Sequence, residues 1–334
     1  MLENQLSRYG AISRTIPELA PGAKMFLVCD SDDTTVGQAN LGAEFPVDKD
    51  GVARVYTTIQ AAVNAAAANR GDVVLVMPGY DHTLSRADSW ATAGVSVIGL
   101  GSGLNRPIVR YGATTDEVGI KANNVTVKNL RFLADADSVA RGLDLDSGYS
   151  GATIQNCMFD FDSNASNFVT MLRIAQSNCL IEGNEFRAED TAGCGKGIEF
   201  LGGYGDYAKI RGNTFSGQFD TVGDSTNNAA MIAIAAVHDS GDTKLTGVEI
   251  SGNTFNPTDT AATKVINFSA TGVSPIRGIV TNNIIGSYDT AAADTDIITA
   301  GGLIFVHNWM KSADSDRSEV ILSEQAKFPG LQDS

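Results

Sequence analysis

IRGNTF at residues 210–215 and ISGNTF at residues 250–255 are two copies of one short pattern, aliphatic-x-(Asn/Gly)-x-x-aromatic. Further copies start at Val127 (VKNLRF), Ile154 (IQNCMF), Ile181 (IEGNEF), Val280 (VTNNII) and Phe305 (FVHNWM). Subtracting successive start positions gives steps of 27, 27, 29, 40, 30 and 25 residues. A loose period with rigid internal spacing is the mark of stacked coils whose insertions are confined to loops. Aligned on the pattern, Phe132, Phe159, Phe186, Phe215 and Phe255 share one column, which Ile285 and Met310 continue. A second column holds Asn184, Asn213, Asn253, Asn283 and Asn308, with Leu130 and Cys157 in the earlier coils. Parallel coils lie about 4.8 Å apart, so equivalent side chains sit directly above one another. A phenylalanine column then forms an apolar stack that no single coil can bury alone. An asparagine column forms a ladder in which each amide donates to the next at a bend of the coil. The expected fold is all-β, a parallel β-helix.

Working outward, a second strand precedes each copy, seen in GIKA, GLDLD, MLRIA, GIEFL, MIAIA and VINFS. Alternation places Ile120, Leu143, Leu172, Ile198, Ile232 and Ile266 inward. Two more coils start at the β-rich runs 72–77 (DVVLVM) and 95–100 (VSVIGL), closed by Pro78-Gly79 and Gly101-Ser102-Gly103. The total is about nine coils and a rod about 40 Å long. Residues 57–71, TTIQAAVNAAAANRG, form the one convincing helix, with Thr57 and Gln60 as a capping box and Gly71 as its stop. Such a helix would cover the open end of the stack. Four segments follow: an N-terminal arm and contacting segment at 1–55, a capping helix at 56–71, the β-helix at 72–310 and a C-terminal tail at 311–334.

The formal net charge of −15 argues against nonspecific nucleic-acid or anionic-membrane binding, where a basic face is needed. Aromatic residues are 7% of the chain, and the repeated phenylalanines are committed to the interior. Cys29, Cys157, Cys179 and Cys194 show no metal or redox spacing, and buried thiols are expected. No basic-then-apolar leader pattern and no span-length apolar stretch is present, so synthesis in a cytoplasm is expected.

The segment from VYTTIQAAVNAA through GDVVLVMPGYDHTLS to VSVIGLGSGLNRPIVRY resembles the entry to pectate-lyase-like right-handed β-helix proteins. With the preceding MFLVCDSDDTTVG it is similar, more narrowly, to β-helical capsid decoration (cement) proteins of tailed bacteriophages. The resemblance implies a right-handed helix, which also agrees with the crossover preference of parallel strands. It implies a homotrimer on the outer capsid surface of a virion, with the major capsid protein as partner.

Catalytic signatures of the wider fold are not found. There is no pectate-lyase run of calcium-binding aspartates with a catalytic arginine, and no Asn-Thr-Asp, paired Asp-Asp and Gly-His-Gly set within the coils. The best catalytic candidates are Asp144 and Glu199, in an outward column with Lys121 and Arg173. Two coils apart, about 9.5 Å, they approach the upper spacing of inverting glycosidase carboxylates. Arg173 between them would hold both ionised, which is wrong for a general acid. An alternating charge ladder that pins strand register is the stronger reading. The Asp160/Asp162 and Asp144/Asp146 pairs match no calcium loop, and His82, His238 and His307 lie in no metal motif. No metal and no cofactor is expected, and His307 is expected to be an outward strand residue. The polar insertions 216–230 and 236–246 could carry binding or oligomer contacts.

The function these features favour is a non-catalytic virion protein whose arm, residues 1–24, clamps the capsid lattice while the rod projects. The alternative is a phage tailspike or receptor-binding protein that grips or cleaves a surface polysaccharide, with a glycan on the exposed rod.

Overall fold

The computed structural model describes residues 22–29, 54–85, 87–188, 193–219, 229–237, 244–258, 265–268, 276–288, 298–299, 302–312 and 319–322. The arm at 1–21, most of the loop at 30–53 and the hearts of both insertions lie outside the described residues.

The chain winds through three parallel sheets, A, B and C; among the described residues each turn contributes one strand to each, save the last, which has none in C. Sheet A has eleven strands; Met25–Val28 and Val55–Tyr56 precede the coils, and the other nine, from Val73–Val76 to Leu303–Val306, are one per coil. Sheet B runs from Asp81–Thr83 to Asn308–Ser312 and sheet C from Asp88–Trp90 to Ile298–Thr299. All pairings within the coils are parallel, and the molecule is a right-handed parallel β-helix. One further strand, Glu319–Leu322, runs antiparallel to Asn308–Ser312 at the last edge of sheet B.

Met25–Val28 pairs in register with Val73–Val76 and buries Phe26, Leu27 and Val28, so it belongs to the rod although the sequence groups it with the arm. Phe26 and Val28 face the main core, while Leu27, on the other face, packs in a second cluster with Leu75 and Ile98.

The helix is shorter than expected, Ile59–Ala65, and its cap is Thr58, not Thr57. Thr58 Oγ1 accepts the Ala61 N–H at 3.2 Å. Gln60 cannot complete a box with Thr57 because its amide is used elsewhere. Its Oε1 accepts the Ser89 N–H and its Nε2 donates to the Ser89 carbonyl at 2.6 Å, which ties the helix to the first strand of sheet C. The chain leaves the helix at Ala66 instead of Gly71, and Ile59, Ala62 and Val63 pack into the core.

The phenylalanine column is continuous. Ring centroids from Phe132 through Phe159, Phe186 and Phe215 to Phe255 are 5.0, 4.9, 4.7 and 5.0 Å apart. Each such contact adds about 0.5–1.5 kcal/mol beyond burial. Beside it, at the bend from sheet A to sheet B, the asparagine amides form a ladder. Asn184 Nδ2 donates to Asn213 Oδ1 at 3.0 Å and to the Ile154 carbonyl at 2.9 Å, and the Asn184 N–H donates to the same Oδ1. Asn213, Asn253 and Asn283 repeat the arrangement, and Asn308 receives the last bonds. Cys157 stands where the ladder begins. Its N–H donates to Asn184 Oδ1, and its thiol points at the Val127 carbonyl, the slot the asparagine amides fill in later coils.

The (Asn/Gly) position of the repeat has its own cause. Asn129, Asn156, Gly183, Gly212, Gly252, Asn282 and His307 all have φ between 52° and 65°. The bend needs a left-handed residue, which glycine and asparagine adopt at least cost. His307 is therefore a corner residue between two strands, not the outward strand residue that alternation suggests.

Candidate functional site

The outer face of sheet C carries the residues with the most chemistry. Register sets Asp144 beside Arg173 and Arg173 beside Glu199. Lys121 does not belong to that row. Leu145 pairs with Ile120, so Gly119 stands beside Asp144 and Lys121 reaches Asp146 at 3.4 Å. Ile120 correspondingly joins the row of Trp90 and Leu145, and Val118 takes the place expected for it beside Leu143. A slip of two residues leaves inward–outward alternation intact, which is why alternation alone misplaces it.

A second outward row lies next to the first. Gly142 and Leu143, Met171 and Leu172, and Gly197 and Ile198 are consecutive inward residues. A Cβ at Gly142 would meet the Phe168 ring at 3.2 Å, one at Gly197 the Phe215 ring at 3.1 Å, and the other four residues lie in the main core. This step breaks alternation and turns residues three apart to the same side. Arg141 Nη1 thus lies 3.8 Å from Asp144, and Lys196 Nζ lies 2.6 Å from Glu199 Oε1.

Though they face outward, Asp144 and Glu199 are only 2% and 8% exposed. Arg173 grips Asp144 with a two-pronged contact, Nε donating to Oδ1 at 2.8 Å and Nη2 to Oδ2. Burial by itself would lower the Arg173 pKa, but the Asp144 carboxylate outweighs it and holds the guanidinium above its ordinary value. Glu199 takes the Lys196 ammonium on one oxygen and the Thr170 hydroxyl, at 3.3 Å, on the other. Each carboxylate is therefore tied to a cation of its own. A general acid needs the reverse, a carboxyl kept protonated by an apolar or like-charged setting.

Sheet B repeats the pattern. Asp160 takes Arg131 at 2.7 Å and Arg187 at 3.4 Å. Arg110 spans Asp81 and Asp162, and the Asp81 hydrogen bonds above all push its pKa up. Both aspartate pairs that could have held a cation are thus engaged by arginine or lysine side chains. A shallow crevice between the end of sheet B and the start of sheet C, lined by Asp160, Ser166, Asn167, Phe168, Arg187 and Cys194, has no interior space for even a water molecule. Small-molecule sites span about 300–1,000 Å³, and this one is well below that range.

One group of residues escaped the sequence reading. Tyr149 and Tyr207 are exposed at 36% and 54%, both at the corner between sheets C and A. Tyr207 is also left-handed, with φ 58°. The only hint in the sequence is an aromatic residue at the position where other coils carry Gly or Asn.

No protein-family model matches the chain, and no curated protein is similar to it. Solved structures are similar in fold. A rhamnogalacturonan lyase superposes with a TM-score of 0.51 at 13% identity, over 86% of this chain and 74% of that one. The pectin methylesterase of Aspergillus niger gives 0.49 at 14% identity, over 90% and 89%. PfbA, a surface adhesin of Streptococcus pneumoniae, gives 0.39 at 15% identity, over 76% and 85%. The first of these supports the parallel β-helix; at such identities the likeness is one of fold, and a fold hosts many functions.

Proposed function

We propose that this β-helix is a non-catalytic structural protein, a trimeric decoration protein on the outer surface of a bacteriophage head that contacts the major capsid protein and cements neighbouring capsomers. The observation that carries the non-catalytic part is the pairing of Asp144 with Arg173 and of Glu199 with Lys196, which engages the best carboxylates of the rod with cations and shields them from solvent. The capsid part rests on the resemblance of residues 25–111 to the entry of cement proteins. A core that is continuous from Phe26 to Leu303 suits a rod that must stay rigid while its base is anchored. The proposed anchor is the arm, residues 1–24. Three such arms, each weak, would give tight attachment through effective concentration.

The test is co-sedimentation of the purified protein with capsids that lack it, followed by cryo-EM. Trimeric density at regular lattice positions, lost on deleting residues 1–24, is the expected result. Absence of lattice density, or attachment that survives the deletion unchanged, defeats the reading. Degradation of a polysaccharide that Asp144→Asn or Glu199→Gln abolishes would overturn the non-catalytic part.

A further inference from the structure

At the corner from sheet C to sheet A seven successive coils make the same left-handed step. The residues that take it are Asn69, Gly94, Asn124, Gly151, Asn178, Tyr207 and Gly247, with φ between 56° and 79°. The first six donate their N–H groups to the next coil, as Asn124 does to Ser150, Gly151 to Ser177, Asn178 to Asp206 and Tyr207 to Thr246. Except at position 207, every member of the column is a glycine or an asparagine, the residues that adopt this conformation at least cost. A residue selected for the bend alone would be one of those two. A tyrosine selected to seal the core would be buried, and Tyr207 is 54% exposed. The coil above has been shaped to receive it. A Cβ at Gly247 would come within 2.4 Å of Tyr207 Cδ1 and 2.8 Å of Cε1, so the absent side chain is what lets the ring lie against the wall of the rod. Strain of this kind, held in place by its surroundings, is a pointer to function.

The surroundings say what the ring is for. Tyr149, also exposed, stands on the same corner two coils earlier, about 9.6 Å along the axis. Ser150 and Ser177, joined by a parallel bridge, and the exposed Asn178 lie between them. We propose that this corner is a binding site for a neutral oligosaccharide, with Tyr207 as its stacking platform and Tyr149 as a second one. A pyranose has an apolar C–H face that lies on an aromatic ring and a rim of hydroxyls that meets serine hydroxyls and asparagine amides. Asp206 precedes Tyr207, its Oδ1 accepting the Thr246 N–H, and the whole chain carries −15. The overall charge therefore disfavours a uronate or other acidic glycan. Lys209 stands two residues beyond Tyr207, and Arg211 already grips Glu249, the register partner of Lys209. That one lysine is set against Asp206 and leaves the corner without the cluster of cations a uronate chain would need. The site is an open surface, so each contact is weak. Its partner chemistry does not depend on where the rod is anchored, and capsid attachment through the arm can fail while this site stands.

Saturation-transfer NMR on the intact protein tests it, with cellotetraose, maltotetraose, mannotetraose and tetragalacturonate as probes. Transfer to the ring protons of at least one neutral tetrasaccharide is expected. It should fall about tenfold in Tyr207→Asn, persist in Tyr207→Phe, and weaken in Tyr149→Ser. Tyr207→Asn should melt no lower than the parent, because asparagine suits the bend. The proposal is overturned by silence from all three neutral probes, by a signal that Tyr207→Asn leaves unchanged, or by stronger transfer to tetragalacturonate. A lower melting temperature in Tyr207→Asn would show that the ring is there for stability, which also overturns it.

Discussion

Asp72 is fully buried and accepts the N–H groups of Lys24 and Ala67 as well as the Arg70 guanidinium, so one carboxylate joins the first strand, the end of the helix and the first coil. Burial alone would raise its pKa; the Arg70 contact and the two backbone donors outweigh that and hold it below the ordinary 3.8. A folded pKa below the unfolded one gives stability that is complete above the unfolded value and is lost as pH falls through the folded one. Asp72→Asn should therefore cost about 2–3 kcal/mol at pH 7, and urea titrations should show the gap to the parent closing as pH drops below 4. The cysteines make a second prediction. All four are buried thiols outside any disulfide, and burial pushes the Cys157 and Cys179 thiols up to about 12. Ellman's reagent at pH 8 should find no reactive thiol in the native protein and four in guanidinium. The burial of the cysteines was legible from the apolar pattern of the repeat, but their placement was not: Cys157 stands at the bend between two strands and Cys179 just before one. The cap was not legible either, because Thr57 and Thr58 are adjacent and only the engagement of Gln60 by Ser89 settles which one serves.

At the level of the strand and its ladder, the columns were legible because the same side chain returns at a fixed offset. Asn213 illustrates their energetics. Its amide accepts from the Asn184 N–H and Nδ2 and donates to Asn253 Oδ1 and the Ile181 carbonyl. Asn213→Ala strands those partners in the interior and should cost about 2–4 kcal/mol by chemical denaturation. Phe186 sits between two rings at 4.9 and 4.7 Å, and Phe186→Ala should cost about 3–5 kcal/mol, with Phe186→Leu markedly milder. The milder outcome is expected because the column already ends in Ile285 and Met310. The charged face of sheet C was only half legible. Asp144, Arg173 and Glu199 share a row as their spacing suggests, but Lys196 reaches Glu199 through the paired inward residues Gly197 and Ile198, which a strict two-residue alternation hides.

Across the whole molecule, each coil touches only its neighbours above and below, so stability is a sum of nearest-neighbour terms. Coils in the middle gain from both sides and those at the ends from one. Hydrogen exchange should accordingly be slowest in the strands Thr153–Gln155 and Leu180–Glu182 and faster in Leu303–Val306; equal protection along the rod would contradict the additive picture. The repeat made this architecture readable before any coordinates, whereas the tyrosine corner was invisible, since nothing in a lone aromatic tells whether it faces in or out. The strand Glu319–Leu322, running backwards along the last edge of sheet B, bears on the fate of many rods in one solution. Every coil is a template for the next, and a parallel stack carries no internal instruction to stop. A reversed final strand supplies one for that sheet: a newcomer in the parallel sense finds the wrong polarity there, so length is written into the gene and not left to concentration.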